Sequence, residues 1–152
     1  MAIRLKTKVK MSVPAEASSH SRTDASVRGV TTVIDEPEER GGTNQGLAPT
    51  ETAMAALAGC TNVIGHKCAN KLGIHIDNLK IDVTTDFDRR GVTLQEEIDV
   101  PFETIHVRVE LDTDASQAEI NNLAAEVAKF CPLAKLFKQA GSKYSEEWII
   151  RS

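Results

Sequence analysis

The cysteines are the residues of this sequence best suited to chemistry. Cys60 lies in the run of small apolar residues "ETAMAALAGCTNVIGHKCANKLG" (51–73), which also contains Cys68. Cys131 stands directly before Pro132 in "KFCPLAKLFKQAG". Because a thiolate is both a nucleophile and a metal ligand, a reactive thiol and a metal site are the two possibilities to compare.

A metal site made of Cys60, His66 and Cys68 is not favoured. Successive residues of a helix are rotated by about 100°, which sends Cys60 and His66 to different faces. Cys60 and Cys68 share a face, but a rise of about 1.5 Å per residue separates them by roughly 12 Å, too far for a disulfide. If Cys60 has a thiol partner in this chain, the remaining cysteine is Cys131. On spacing alone, cysteines that only pack are more common than a reactive pair, so both interpretations stay open. We expect no metal and no other cofactor.

Two helical segments must position these thiols. The stretch from Pro49 to about Leu72 has no internal proline and is followed by Gly73, which predicts one long helix with a glycine stop. Residues 53–60 carry no charge, so this half of the helix should be buried on all sides. A second amphipathic helix begins at Ser116, and Pro132 should break or restart it.

Alternating apolar and polar residues predict the strands. They fall at 3–11, at two segments within 20–36 on either side of Gly29, in a three-stranded meander over 74–88, 93–100 and 103–114, and in the tail 143–152. Residues 89–91 should form a hairpin turn of the meander. The order of strands, long helix, strands, helices and strand predicts an α+β fold, with antiparallel sheet packed on the long central helix.

Composition narrows the class of protein. The chain has 152 residues, of which 41% are hydrophobic and 26% are charged, and this is typical of one domain spanning 1–152. The formal net charge of −4 favours neither nucleic acid nor an anionic membrane as a partner. No apolar run reaches the length of about 20 residues that spans a bilayer, and the N-terminus lacks the apolar core of a signal peptide. We therefore expect a cytoplasmic protein whose three cysteines are reduced.

Two segments are similar to a known family. The stretch "GTNQGLAPTETAMAALAGC" (42–60) resembles the segment of the OsmC/Ohr superfamily that leads to the peroxidatic cysteine. The stretch "FCPLAKL" (130–136) resembles the region of that family's second cysteine. The order of helices and strands agrees along almost the whole chain. The chain is thus identified as a member of this superfamily, nearer the less characterised OsmC-like branches than the Ohr branch.

The resemblance implies an activity and an assembly. It implies a thiol-dependent peroxidase for organic hydroperoxides, acting in oxidative stress defence, with Cys60 peroxidatic and Cys131 resolving. A thiol reductant would then reset the disulfide. The resemblance also implies an intertwined homodimer.

The same resemblance implies an arginine, held by a glutamate, that activates the first thiol. Arg22 is the best match for that arginine and Arg28 the reserve. Glu51 is the matching carboxylate, although Thr50 separates it from Pro49. Because Glu51 precedes Cys60 by nine residues, it would face away from Cys60 on a straight helix, about 13 Å distant. It is then either a first-turn carboxylate favoured by the helix dipole or an anchor for an arginine in a second subunit.

A second class of function remains open at this point. A dimeric protein of the same fold could bind a small molecule in an apolar pocket, with the thiols incidental. A cation beside Cys60 would favour the peroxidase, because a thiolate among apolar residues needs a stabilising charge.

Overall fold

The computed structural model describes residues 6–151 and has the predicted α+β composition. By its internal contacts the chain divides into two compact units, one ending at Thr52 and one beginning at Ala53. Each unit contains a separate three-stranded sheet.

The first unit contains an antiparallel meander. Its strands are β1 (Ala15–Ala17), β2 (Thr23–Val27) and β3 (Val30–Ile34), in the order β1-β2-β3. Arg28 and Gly29 connect β2 to β3 with φ angles of 56° and 77°. Two successive positive φ angles are typical of a two-residue hairpin turn whose twist matches that of the strands. The two strands predicted on either side of Gly29 are confirmed.

The first predicted strand, at 3–11, is wrong in the part that can be assessed. Residues 3–5 lie outside the described residues, and residues 6–11 form no strand. Val9 and Met11 are 71% and 86% exposed. Alternating apolar residues form a strand only where a sheet face can bury their side chains. Within residues 6–151, no sheet face covers Val9 or Met11.

The loop after β3 is organised by a buried carboxylate. Asp35 is fully buried, and its Oδ1 accepts a hydrogen bond from the Glu36 N–H at 2.8 Å. Its Oδ2 accepts bonds from the Thr43 hydroxyl and N–H, at 2.5 and 3.2 Å, and from the Gln45 N–H at 3.1 Å. These bonds fold the glycine-containing loop that leads to the long helix.

Helix α1 (Pro49–Leu72) has the predicted bounds. It ends at Gly73, whose φ of 71° is the left-handed conformation of a helix stop. The prediction that residues 53–60 are buried on all sides is wrong for the single chain. Met54 and Leu57 are buried, whereas three small residues of the opposite face are exposed: Ala55, Ala56 and Gly59. One sheet and two further helices cover one side of α1 only.

The second unit contains a mixed sheet in the order β4-β5-β6. Strand β4 (Asn78–Phe87) pairs antiparallel with β5 (Phe102–Asp112), and β5 pairs parallel with β6 (Lys143–Ile150). One face of β5 is fully buried through Ile105, Val107, Val109 and Leu111. These side chains form the centre of a core that α1 covers.

The middle strand of the predicted meander, at 93–100, is also wrong. Backbone bonds from Thr93 and Leu94 return to residues 89–91, as in a turn. Arg90 binds Asp88 and Glu96, each at 2.6 Å, which closes the loop on itself. β4 and β5 therefore pair directly, and 93–100 projects as a loop between them.

Two helices make the crossover from β5 to the parallel strand β6. Helix α2 (Gln117–Phe130) begins with a capping box in which the Ser116 hydroxyl accepts from the Glu119 N–H and the Glu119 carboxylate accepts from the Ser116 N–H. Helix α3 (Pro132–Gln139) restarts at Pro132, as predicted. Across residues 6–151, no helix has both the length and the apolar character needed to cross a membrane.

Candidate functional site

The structure brings Cys60 and Cys131 together. Their Sγ atoms are 3.4 Å apart, although 71 residues separate them in the sequence. Cys60, in α1, is half-buried, whereas Cys131 is 1% exposed. A molecule from solvent therefore has access to Cys60 but not to Cys131.

Cys131 is held at the junction of two helices. It ends α2 through a bond from its N–H to the Val127 carbonyl at 2.9 Å, and its extended backbone, with ψ of 109°, begins α3. Burial raises the pKa of the Cys131 thiol, and the neighbouring Cys60 raises it further. The backbone N–H groups of Leu133 and Ala134, in the first turn of α3, offset part of this rise. Cys131 thus keeps its proton at neutral pH.

The contact between the two sulfurs has a direction. The protonated Cys131 thiol donates to the sulfur of Cys60. Such a bond favours protonation of Cys131. A disulfide has an S–S distance of about 2.05 Å, so the two sulfurs need to approach by little more than 1 Å to bond.

Cys68 lies apart from this pair, as the helix spacing predicts. It is 5% exposed, and burial raises the pKa of its thiol. It forms part of an apolar groove of about 290 Å³ that is lined by Ile64, Lys67, Cys68, Lys71 and Phe130.

Arg22 belongs to the first unit and has two partners there. Its Nε donates to Asp24 Oδ1 at 2.8 Å, and one of its terminal nitrogens donates to Asp24 Oδ2 at 3.2 Å. The other terminal nitrogen donates to Gln45 at 3.1 Å. The hydrogen bonds to Asp24 and the negative charge of Asp24 raise the pKa of Arg22. Arg28, the reserve candidate, occupies the β2–β3 turn instead.

Glu51 has a structural partner in its own helix. Its carboxylate accepts a hydrogen bond from the Ala48 N–H at 2.8 Å, the arrangement of a capping glutamate in the first turn of a helix. This contact satisfies a backbone donor that α1 would otherwise leave free. In the isolated chain Glu51 therefore caps the helix.

Sequence reasoning missed two side chains that bind a candidate site residue. Asp24 and Gln45 hold Arg22. A signal for Asp24 was present, because alternate residues of a strand face the same side and Asp24 follows Arg22 by two positions. Nothing in the sequence pairs the loop residue Gln45 with β2. Among residues 6–151, no three His, Cys, Asp or Glu side chains form a metal-binding group.

Residues 42–146 match the family model described as OsmC-like protein. This range contains Glu51, Cys60 and Cys131, and Arg22 precedes it. No curated protein has a significantly matching sequence.

Solved structures share the fold over nearly the whole chain. An OsmC-like protein from Mycoplasma pneumoniae is 19% identical with a TM-score of 0.75, covering 94% of this chain and 99% of its own. An organic hydroperoxide resistance protein OsmC from Legionella pneumophila is 16% identical with a TM-score of 0.63. The similarity covers 95% of this chain and 100% of the Legionella chain. An organic hydroperoxide resistance protein from Elizabethkingia anophelis is 11% identical with a TM-score of 0.65. The similarity covers 96% of this chain and 99% of the Elizabethkingia chain. At these identities the similarity establishes a common fold.

Proposed function

Because this chain belongs to the OsmC-like protein family, we propose that it is a thiol-dependent peroxidase that reduces organic hydroperoxides. The observation that carries the proposal is the pair of sulfurs 3.4 Å apart, one half-buried and one buried. Two similar structures named for organic hydroperoxide resistance support the choice of substrate class.

Cys60 performs the first step. Its thiolate attacks the terminal oxygen of the hydroperoxide, so that an S–O bond forms and the O–O bond breaks. The alkoxide leaves and takes up a proton as the alcohol, and Cys60 becomes a sulfenic acid. Cys60 is the peroxidatic residue because it is the more exposed thiol and because it accepts the bond donated by Cys131.

Cys131 performs the second step as the resolving cysteine. It loses its proton and attacks the Cys60 sulfur, forming the disulfide while the S–O bond breaks and hydroxide leaves as water. An external dithiol, or two equivalents of a monothiol, then reduces the disulfide and is itself oxidised.

Arg22 is proposed as the cation that stabilises the Cys60 thiolate, with Glu51 as a carboxylate that helps to position an arginine. The bidentate pairing of Arg22 with Asp24 supports a fixed guanidinium, because two parallel bonds define its plane. Gln45 fixes it from a third direction.

We propose that the active form is a homodimer, located in the cytoplasm. Small residues on one side of α1 remain exposed in the single chain, and Val63 on the same helix is 51% exposed. A second copy covering this side would remove apolar surface from water.

The alternative is a binding protein of the same fold whose thiols are incidental. The groove beside Ile64 and Phe130 is the observation in its favour, since an apolar cleft suits a small apolar ligand. The groove contains Cys68 and neither of the paired thiols.

Oxidation by one equivalent of cumene hydroperoxide tests the peroxidase. We expect two thiols to be consumed, with a Cys60–Cys131 disulfide and a free Cys68 found by peptide mass mapping. The matched control is Cys68→Ser, which should react like wild type. A disulfide that contains Cys68, or no disulfide at all, contradicts the proposal and favours the binding protein.

Replacement of the arginines tests the cation. Arg22→Ala should slow the reaction of Cys60 with cumene hydroperoxide at pH 7 by about tenfold or more, because an opposite charge within a few ångströms favours the thiolate by one or more pKa units. Arg28→Ala is the control and should slow it less. Hydrogen peroxide should react more slowly than cumene hydroperoxide, because apolar neighbours of Cys60 favour an organic group. Equal rates for both oxidants, unchanged in Arg22→Ala, would indicate a generic thiol.

A further inference from the structure

The groove near the end of helix α1 combines an uncharged floor with two lysines. Ile64 and Cys68 belong to α1, and Phe130, the last residue of α2, is 54% exposed. Lys67 and Lys71 complete the lining. The groove has a volume of about 290 Å³, close to the lower limit of about 300 Å³ for small-molecule pockets. It therefore suits a small molecule better than a helix or strand of another protein.

The lining residues of α1 follow one stripe of the helix. Ile64, Cys68 and Lys71 recur at spacings of four and three residues, which places them on the same side. Seven residues at a rise of about 1.5 Å separate Ile64 from Lys71 by roughly 10 Å, the length of an extended chain of about eight carbons. The stripe is apolar at Ile64 and positively charged at Lys71, so its two ends suit different chemical groups.

Positive charge is in excess at the charged end. Lys67 and Lys71 are neighbours on successive turns, and like charges at this spacing repel each other. Within residues 6–151, Lys67 forms no ion pair. Lys71 Nζ lies 3.5 Å from the Glu126 carboxylate, which Lys129 also binds. Three ammonium groups thus share one carboxylate, and a further anion would relieve their repulsion.

The uncharged part of the lining lies directly beside this charge. Lys71 Nζ is 5.5 Å from the centroid of the Phe130 ring, so the ammonium group and the ring border the same part of the groove. Cys68 is 5% exposed, and burial raises the pKa of its thiol. Cys68 therefore keeps its proton at neutral pH and adds no charge. A ligand that fits the groove needs an apolar body and an anionic end.

We propose that this groove binds a medium-chain carboxylate. The hydrocarbon chain packs on Ile64, Cys68 and Phe130. The carboxylate lies between the ammonium groups of Lys67 and Lys71. A neutral apolar molecule would leave the lysine charges without a partner, and a small hydrophilic anion would leave the apolar lining in water. This binding goes beyond the proposed peroxidase function and does not depend on it.

Calorimetric titration of the reduced protein with octanoate tests the ligand class. We expect octanoate to bind, and the affinity to fall about fourfold for each methylene removed from the chain. Octanol has the same chain without the charge and should bind about tenfold more weakly than octanoate, because it lacks the ion pairs with the two lysines.

Replacement of the lysines tests the position of the carboxylate. In the double variant Lys67→Gln and Lys71→Gln, octanoate should bind about tenfold more weakly, whereas the affinity for octanol should be unchanged. Added salt should weaken octanoate binding in wild type and have little effect in the double variant. Lys143→Gln is the matched control, because Lys143 is exposed and alternation on β6 directs it away from the core. It should bind octanoate like wild type.

Two further measurements test the position of the chain. Phe130→Ala removes apolar contact area, so it should weaken octanoate and octanol by a similar factor. Saturating octanoate should slow the alkylation of Cys68 in wild type, with half of the effect at the dissociation constant found by calorimetry. Alkylation of Cys68 that is unchanged by octanoate would contradict a chain bound in this groove.

The remaining outcomes separate this inference from the other proposals. The titrations contain no oxidant, so failure of cumene hydroperoxide to form a disulfide leaves octanoate binding as the test of the groove. Equal affinities for octanoate and octanol, or an octanoate affinity that the lysine substitutions leave unchanged, would show the inference to be wrong. If octanoate does not bind and Phe130→Ala converts a dimer to a monomer in sedimentation, a second copy occupies the groove and the inference is also wrong.

Discussion

At the scale of single residues, two buried ionisable groups have pKa values that are shifted in opposite directions. Cys131 is a buried thiol whose pKa is raised, and Asp35 is a buried carboxylate whose pKa is lowered. The difference arises from hydrogen bonds. Asp35 accepts bonds from Thr43, Gln45 and Glu36 that outweigh its burial, whereas the donors around Cys131 do not.

Asp35 gives a prediction of pH dependence. Its pKa is lowered in the folded state, chiefly by the Thr43 hydroxyl, so the ionised side chain stabilises the fold at neutral pH. This contribution is complete above the ordinary carboxyl pKa of about 3.9 and is lost as the pH falls below that value toward the folded-state pKa. Asp35→Asn should therefore lower the free energy of unfolding at pH 7, and its curve should converge with that of wild type below pH 4.

Urea unfolding followed by circular dichroism from pH 7 to pH 2.5 measures this effect. Asp99→Asn, at an exposed loop position, is the control and should follow wild type throughout. A constant difference in the free energy of unfolding between wild type and Asp35→Asn at every pH would contradict this. It would show that the substitution acts through packing and not through the loss of the ionised carboxylate.

At the scale of elements, a glycine determines how α1 lies on the sheet. Gly65 is buried in the middle of the helix, and a Cβ there would lie 3.2 Å from Cη2 of Trp148 on β6. The absence of a side chain lets the helix approach the indole ring. The same approach brings the turn of α1 that carries Cys60 toward the start of α3, where Cys131 lies.

Gly65→Ala tests this contact. Overpacking against Trp148 should cost about 1–3 kcal/mol, and the better helix propensity of alanine should return about 1 kcal/mol, which leaves a net loss of up to about 2 kcal/mol. Urea unfolding followed by circular dichroism measures every variant, because the Trp148→Phe background lacks the single tryptophan of the sequence. In a Trp148→Phe background the outer ring atoms are absent, so Gly65→Ala should become neutral or stabilising. Additive effects of the two substitutions would contradict a direct contact.

At the scale of the whole molecule, the exposed side of α1 is the main feature that the single chain leaves unexplained. Its residues Ala55, Ala56 and Gly59 are small and uncharged, and Val63 is half exposed. Small side chains allow two backbones to approach closely, and a self-complementary patch is the basis of a two-fold dimer. The proposed homodimer would use this side of the helix.

Sedimentation at micromolar concentration tests the assembly. Wild type should have the mass of two chains, and Ala56→Glu should shift it to one chain, because two carboxylates would be buried without partners. Gln95→Glu, at an exposed position of the loop between β4 and β5, is the control and should leave the mass unchanged. A wild-type protein that stays monomeric removes the argument for a dimer.

Local sequence signals determined the helices and most of the strands. Proline and glycine at the ends of α1, the serine at the start of α2 and Pro132 between α2 and α3 each act through backbone conformation or a neighbouring hydrogen bond, so they can be recognised without the fold. The family resemblance identified Cys60 and Cys131, and the structure places their sulfurs in contact. Their catalytic use remains a prediction.

Tertiary structure decided the features that depend on distant residues. Residues 6–11 and 93–100 alternate as the true strands do, and only the availability of a pairing partner made the difference. The sequence likewise gave no sign that β6 pairs parallel to β5, because that arrangement is set by the crossover through α2 and α3. The environment of Cys131 and its raised pKa arise from the contact between α1 and the junction of α2 and α3. Burial and electrostatics depend on which atoms meet in space, and for this protein only the folded chain brings those atoms together.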